Sequence, residues 1–209
     1  MARLRAGILG NIRGKVAGVV GGQWKDKNYV REYVKPANPQ TAAQIVQRDL
    51  MKGAVAFAKP LVGPVFNAYT DKFQKSMSGF NYFIKQNITE FVTDPTWDNM
   101  VLTEGKLYAQ AITEASYDSG TGQNTITWTP AYGNNGAASD KVFAAQYDKD
   151  SGFWTFPATE ELRSTGEITI TGLTGLTFGN LKVYVWCAQY AGALVNLIST
   201  SVYEQTVSA

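Results

Sequence analysis

Residues 100–209 break into short runs in which apolar and polar residues alternate, each closed by a cluster of turn formers. The runs are Lys106–Tyr117, Asn124–Pro130, Asp140–Tyr147, Gly152–Pro157, Glu167–Thr171, Leu181–Tyr190 and Leu194–Gln205. A period of two suits a pleated strand and defeats a helix, whose faces repeat every 3.6 residues. Between the runs lie Asp118-Ser119-Gly120-Thr121-Gly122, Gly133-Asn134-Asn135-Gly136 and Lys149-Asp150-Ser151-Gly152, all loop signals, followed by a Gly/Thr-rich stretch at 172–179. Six or seven short strands at this spacing predict an immunoglobulin-like β-sandwich. It is closer to fibronectin type III, because the second cysteine of a true immunoglobulin domain is missing. Trp128 is expected on an early strand. In 183–188, Val183, Val185 and Cys187 fall on one face and Tyr184 and Trp186 on the other, which makes Cys187 a small hydrophobe. Trp128 and Trp186 are both expected in the sandwich core.

Residues 38–99 change period. Asn38 before Pro39 reads as an N-cap with proline at the first helical position. Ala42, Ile45, Val46, Leu50 and Ala54 then recur at helical spacing, with Gln40, Gln44, Gln47 and Arg48 on the polar face. Lys59-Pro60 ends that helix. A second helix is expected over about 65–75 with Phe66, Tyr69 and Phe73 in line, and a third over about 79–91 with Phe80, Phe83, Ile84 and Phe91. These aromatics read as core. A cluster this small is marginal alone and gains by packing on a neighbour.

Residues 1–37 are a basic, glycine-rich arm, with Gly7, Gly10, Gly14, Gly18, Gly21 and Gly22 among them. The arm is expected to be extended or irregular up to Trp24. There an alternating run with a turn at Asp26–Asn28 predicts a short hairpin. The fold class is thus α+β in three stretches: arm 1–37, helical region 38–99 and sandwich 100–209.

Charge separates the same stretches. Residues 1–35 hold eight Lys/Arg against two Asp/Glu, a net of +6, whereas residues 91–209 hold five against twelve, a net of −7. A basic front invites an acidic partner, either nucleic acid or the acidic half of a neighbouring copy. Histidine is absent and cysteine occurs once. That excludes Ser-His-Asp and Cys-His catalysis, His-ligated metal, a four-cysteine zinc site and an intrachain disulfide. No enzyme, cofactor or metal is expected. Asp148 and Asp150 read as turn acids, and no apolar run is long enough to span a membrane. The single cysteine fits synthesis in a reducing cytoplasm.

The run Gly14–Lys25, then Tyr29-Val30-Arg31, then Asn38-Pro39-Gln40-Thr41-Ala42-Ala43-Gln44 with Gln47-Arg48 resembles a domain-of-unknown-function family common in Bacteroidota and their phages. The resemblance continues through Lys75–Asn81 and Asn87 to Ser199-Thr200-Ser201-Val202-Tyr203. It implies a structural protein of a phage virion, made in the host cytoplasm. The expected partners are other virion proteins and copies of itself, through Arg3, Arg5, Arg13, Lys15, Val16, Val19, Trp24, Lys25, Tyr29 and Arg31. Two other readings stay open: nucleic-acid binding by the basic arm with Trp24, Tyr29 and Tyr33 as stacking platforms, and carbohydrate or receptor binding by the loops bearing Tyr132, Phe153 and Trp154.

Overall fold

In the computed structural model the described residues are 2–4, 14–24, 27–35, 37–38, 40–70, 77–91, 97–133, 135–172 and 174–208. Two compact units divide the chain, Met1–Ala42 and Ala43–Ala209.

The first unit is a four-stranded antiparallel sheet of β1 (Ala2–Leu4), β2 (Gly14–Val16), β3 (Val19–Trp24) and β4 (Lys27–Glu32), in the order β1-β4-β3-β2. Among its described residues the arm is extended, one of the two forms expected, and the strands are ladder-paired. The expected hairpin is present, but Lys27 and Asn28, expected in its turn, are already ladder-paired with Trp24 and Gln23.

In the second unit the first helix, α1 (Ala42–Ala58), starts four residues after Asn38, which is therefore not its cap. Gln40 adopts a positive φ of 44° just ahead of it. Ile45 and Val46 are 44% and 56% exposed, so the inward stripe holds only from Leu50 onward, where Ala54, Phe57 and Ala58 are buried. The stripe is continuous, but the layer it packs on covers only its C-terminal half. A 3₁₀ turn, Lys59–Leu61, leads into a π-helical stretch, Val62–Thr70, where an α-helix over 65–75 was expected. Pro64 lies in the first turn of that stretch. Phe73 lies outside the described residues. Helix α2 (Gly79–Asn87) is capped by the Ser78 hydroxyl, which accepts the Asn81 N–H at 3.3 Å.

Two sheets follow. One has the order β10-β6-β5-β14, from β5 (Glu114–Asp118), β6 (Gln123–Thr127), β10 (Glu167–Ile170) and β14 (Val207–Ser208). The other has the order β12-β11-β7-β8, from β7 (Lys141–Asp148), β8 (Trp154–Thr155), β11 (Leu181–Ala191) and β12 (Leu194–Ile198). β9 (Glu161–Leu162) adds to β7, and β13 (Val202–Gln205) adds to β11. The run expected as one strand over 194–205 is thus split at Ser199–Ser201. Of 106–117, only Glu114 onward is a regular strand.

Both faces of β11 are buried. Leu181, Val183, Val185 and Cys187 join Ala115, Ile126, Trp128, Val142, Ala144, Ile168 and Ile170 between the two sheets. Tyr184, Trp186 and Ala188 face the other way, into the helices. Trp186 therefore belongs to the sheet–helix core and not to the inter-sheet core where it was expected. The unit has three layers, helix on sheet on sheet, with the helical stretch and the strands sharing one core.

The sheet–helix seam is aromatic. Phe57 of α1 meets Phe91 at 5.3 Å, Tyr147 at 4.7 Å and Trp154 at 4.8 Å between ring centroids. Trp154 also donates its indole N–H to the Phe57 carbonyl at 3.0 Å, and the Tyr184 hydroxyl donates to the Trp97 carbonyl at 3.0 Å. Edge-to-face and tilted pairs of this kind add to the area they bury.

Replacing Trp128 or Trp186 with Ala is expected to cost about 3–5 kcal/mol, the range for large aromatic truncations in cores. Urea melts would show it, and a loss below about 1 kcal/mol would mean that the site is not core. The seam also predicts an alkaline transition. Burial raises the phenol pKa values of Tyr184, Tyr147 and Tyr69, and pushes Tyr203 up to about 12. Unfolded tyrosines ionise near pH ~10. Stabilisation is therefore complete below that pH and is lost as pH rises through the folded values. The last phenols to ionise, well above pH ~10, should do so together with loss of near-ultraviolet circular dichroism; ionisation of every tyrosine of the chain with the fold intact would refute the burial argument.

Candidate functional site

The residues singled out for partner binding fall on the first unit, where strand register decides which share a face. Lys15 pairs with Val20, and Val20 with Arg31, so the three form one row. Gly22 pairs with Tyr29, and Tyr29 with Arg3, two residues along. Residues two apart on a strand share a face. Lys15, Val20, Arg31, Tyr29 and Gly22 therefore lie together. The alternate rows, Val16/Val19/Glu32 and Gly14/Gly21/Val30, lie on the opposite face. One face is basic with an aromatic; the other is apolar, apart from Glu32, across these rows.

Two contacts organise the basic face. The Lys15 ammonium sits over the Tyr33 ring, 3.6 Å from its centroid, a cation–π contact. Tyr33 donates its backbone N–H to the Gly18 carbonyl at 2.8 Å, which extends the β3–β4 pairing to the foot of the β2–β3 turn. Tyr29 lies across Gly22: a Cβ added at residue 22 would stand 2.7 Å from the phenol oxygen. The missing side chain is what lets the ring lie flat on the sheet. On the apolar face Val16 is 60% exposed and Val19 40%, while Gly21 is buried.

The structure thus brings Lys15, Tyr29 and Arg31 together and separates them from Val16 and Val19, which the sequence alone had pooled. Arg3 is placed by register across from Tyr29, and Trp24 across from Lys27. Arg5, Arg13 and Lys25 lie outside the described residues. Among the loop aromatics, Phe153 is 73% exposed, but Trp154 is half-buried in the aromatic seam and bonded to Phe57. That removes Trp154 from an exposed binding set. Asp148 accepts the backbone N–H groups of Asp150 (3.1 Å) and Ser151 (3.2 Å), the behaviour of a turn acid.

Sequence reasoning missed Arg163. Its side chain is fully buried, donating to the carbonyls of Tyr108 (2.7 Å) and Ala131 (3.1 Å) and lying 3.7 Å from the Asp140 carboxylate. Its own carbonyl accepts the Trp128 indole N–H at 2.8 Å. A single arginine thereby fixes three loops at one end of the facing sheets. No periodicity or motif marks it, since its partners are backbone carbonyls scattered along the chain.

A family model described as a family of unknown function (DUF6266) matches residues 11–203, and the chain belongs to that family. Comparison with curated proteins yields no match.

Gly22→Leu tests the built face. The new side chain must displace Tyr29, so the β3–β4 amides should exchange at least tenfold faster, about 1.4 kcal/mol of local opening. Gly18→Ala, at a position with open space around it, should leave them unchanged. Equal protection in Gly22→Leu and the native chain would show that the ring does not depend on the glycine.

Proposed function

We propose that this protein is a non-enzymatic structural component of a bacteriophage virion, docked through its N-terminal sheet and helices and presenting the facing-sheet module. The observation that carries this reading is the two-faced first unit. A sheet is stable when its apolar face is covered by a second layer. The described residues of Met1–Ala42 form one layer, and its apolar face carries Val16 and Val19 in the open. The opposite face is basic, while residues 43–209 carry eleven Lys/Arg against fifteen Asp/Glu, a net of −4. An interface between copies, or with another virion protein, would cover the apolar rows and match the charges.

The facing sheets themselves fit an immunoglobulin-like module, the fibronectin type III variant by our reading. Its first, second and fourth long strands (β5, β6, β10) oppose the third, fifth and sixth (β7, β11, β12), which supports that reading. Such a module is rigid and suits a lattice, collar or tail position. One observation favours a second reading, nucleic-acid binding: Lys15, Tyr29 and Arg31 share a face. Against it, the Lys15 ammonium is already engaged by Tyr33.

Two variants separate the readings: Val16→Ser with Val19→Ser, and Lys15→Gln with Arg31→Gln. For a docking sheet, the valine variant should weaken self-association or incorporation into particles by about tenfold or more. The charge variant should mainly slow encounter and flatten its salt dependence. Sedimentation velocity and mass spectrometry of purified particles read these out. Loss confined to the charge variant, with DNA affinity falling linearly in log salt, would favour the second reading. A monomer at all concentrations that is absent from particles would overturn the first.

A further inference from the structure

Two rows of side chains on this chain match in spacing and oppose each other in charge. On the N-terminal sheet, Lys15 pairs with Val20 and Val20 with Arg31, so two cations stand on β2 and β4 with one strand between them. On the facing sheets, Glu114 pairs with Thr127 and Thr127 with Glu167. Two carboxylates therefore stand on β5 and β10, again with one strand between them. Neighbouring strands lie about 4.8 Å apart, so each like-charged pair spans about 10 Å between Cα atoms.

The acidic row faces outward. Ala115, Ile126, Ile168 and Ile170 point between the two sheets, so their neighbours along each strand point away from that core. Glu114 and Glu167 are exposed and Thr127 is half-buried between them. Strands β5, β6 and β10 carry no Lys or Arg. The ion pairs among the described residues, Lys141–Glu160 and Arg163–Asp140, involve neither glutamate. Two residues along lies a row of hydroxyls, Ser116, Thr125 and Thr169.

The basic row is built alike. Lys15 and Arg31 are exposed with Val20 half-buried between them, and the Tyr33 ring holds the Lys15 ammonium in place. Tyr29 lies two residues along from Arg31 on the same face. Laid face to face, the two cations meet the two carboxylates, Val20 meets Thr127, and Tyr29 falls on the hydroxyl row.

We propose that the basic row of one copy docks on the acidic row of a second copy. The inference rests on the docking reading of the N-terminal sheet and names the partner and the patch it meets. Both halves of the contact sit on one chain at one spacing with opposite sign, which singles out another copy as the occupant. Because the contact joins different surfaces of the two copies, it closes a ring or propagates a filament. Exposed ion pairs are individually weak. The matched spacing therefore sets register and orientation, and repetition through the assembly supplies the strength.

Two charge reversals test the contact by sedimentation velocity over a concentration series: Lys15→Glu with Arg31→Glu, and Glu114→Lys with Glu167→Lys. All four positions are exposed, so the melting temperature should hold. Each reversal sets like charges against each other and should weaken self-association at least tenfold. An equimolar mixture of the two variants should restore it, because every contact between unlike copies is matched again. Self-association of the native chain should also weaken steeply with salt, a measurement that needs no substitution. Salt-insensitive association would overturn the contact. Association that ignores both reversals and falls only with Val16→Ser and Val19→Ser would overturn it too, and leave the docking reading standing. Recovery only when all four reversals share one chain would place the contact within a chain and overturn the contact between copies. A native chain that stays monomeric, whether or not Lys15 and Arg31 bind duplex DNA, would also overturn it; the docking reading falls only if that chain is absent from particles as well.

Discussion

The structure of the second unit depends on β11 being buried on both faces at once. A strand with one face in water needs only one set of apolar partners. Here Val183, Val185 and Cys187 demand a second sheet while Tyr184, Trp186 and Ala188 demand a cover on the other side. Helices around Phe57, Phe66 and Phe83 supply that cover, and they are too few to bury their own aromatics without it. Sheet and helices are thus mutually necessary.

Layering also accounts for where polar groups are tolerated. Arg163 is buried at the end of the facing sheets because the loops there turn their carbonyls inward, and a guanidinium supplies several donors from one side chain. Asp140 beside it takes the Ala137 N–H at 2.7 Å as well. Both buried charges are therefore hydrogen-bonded as well as close to each other, which such groups require. Glycine plays the matching role in the first unit, where the absent side chain at residue 22 makes room for the Tyr29 ring.

Family membership adds no chemistry to this reading, so function has to be argued from surfaces. The N-terminal sheet offers apolar and basic residues on opposite sides, and one sheet face can engage one partner at a time. Which face meets a partner is a sharper question than whether the arm is basic, and only strand register poses it.

The alternation of the seven runs expected between 106 and 205 was legible as β-rich because a pleated strand forces period two on any sequence with a buried face, although only Glu114 onward of the first run is a regular strand. The aromatic stripe of Phe66, Phe83 and Phe91 was legible as core for a similar reason: large apolar groups at helical spacing gain most from burial. The absence of histidine likewise decided much of the excluded chemistry without any structure. Other features belong to the tertiary structure. Periodicity says that Trp186 opposes Cys187, but not which face meets helices and which meets strands. It draws Ile45 and Val46 into one stripe with Ala54, but not where the covering layer stops. Ladder register, a relation between distant segments, separates Val16 from Lys15. A sequence determines what each segment prefers; the partners that satisfy those preferences are fixed only when the chain closes on itself.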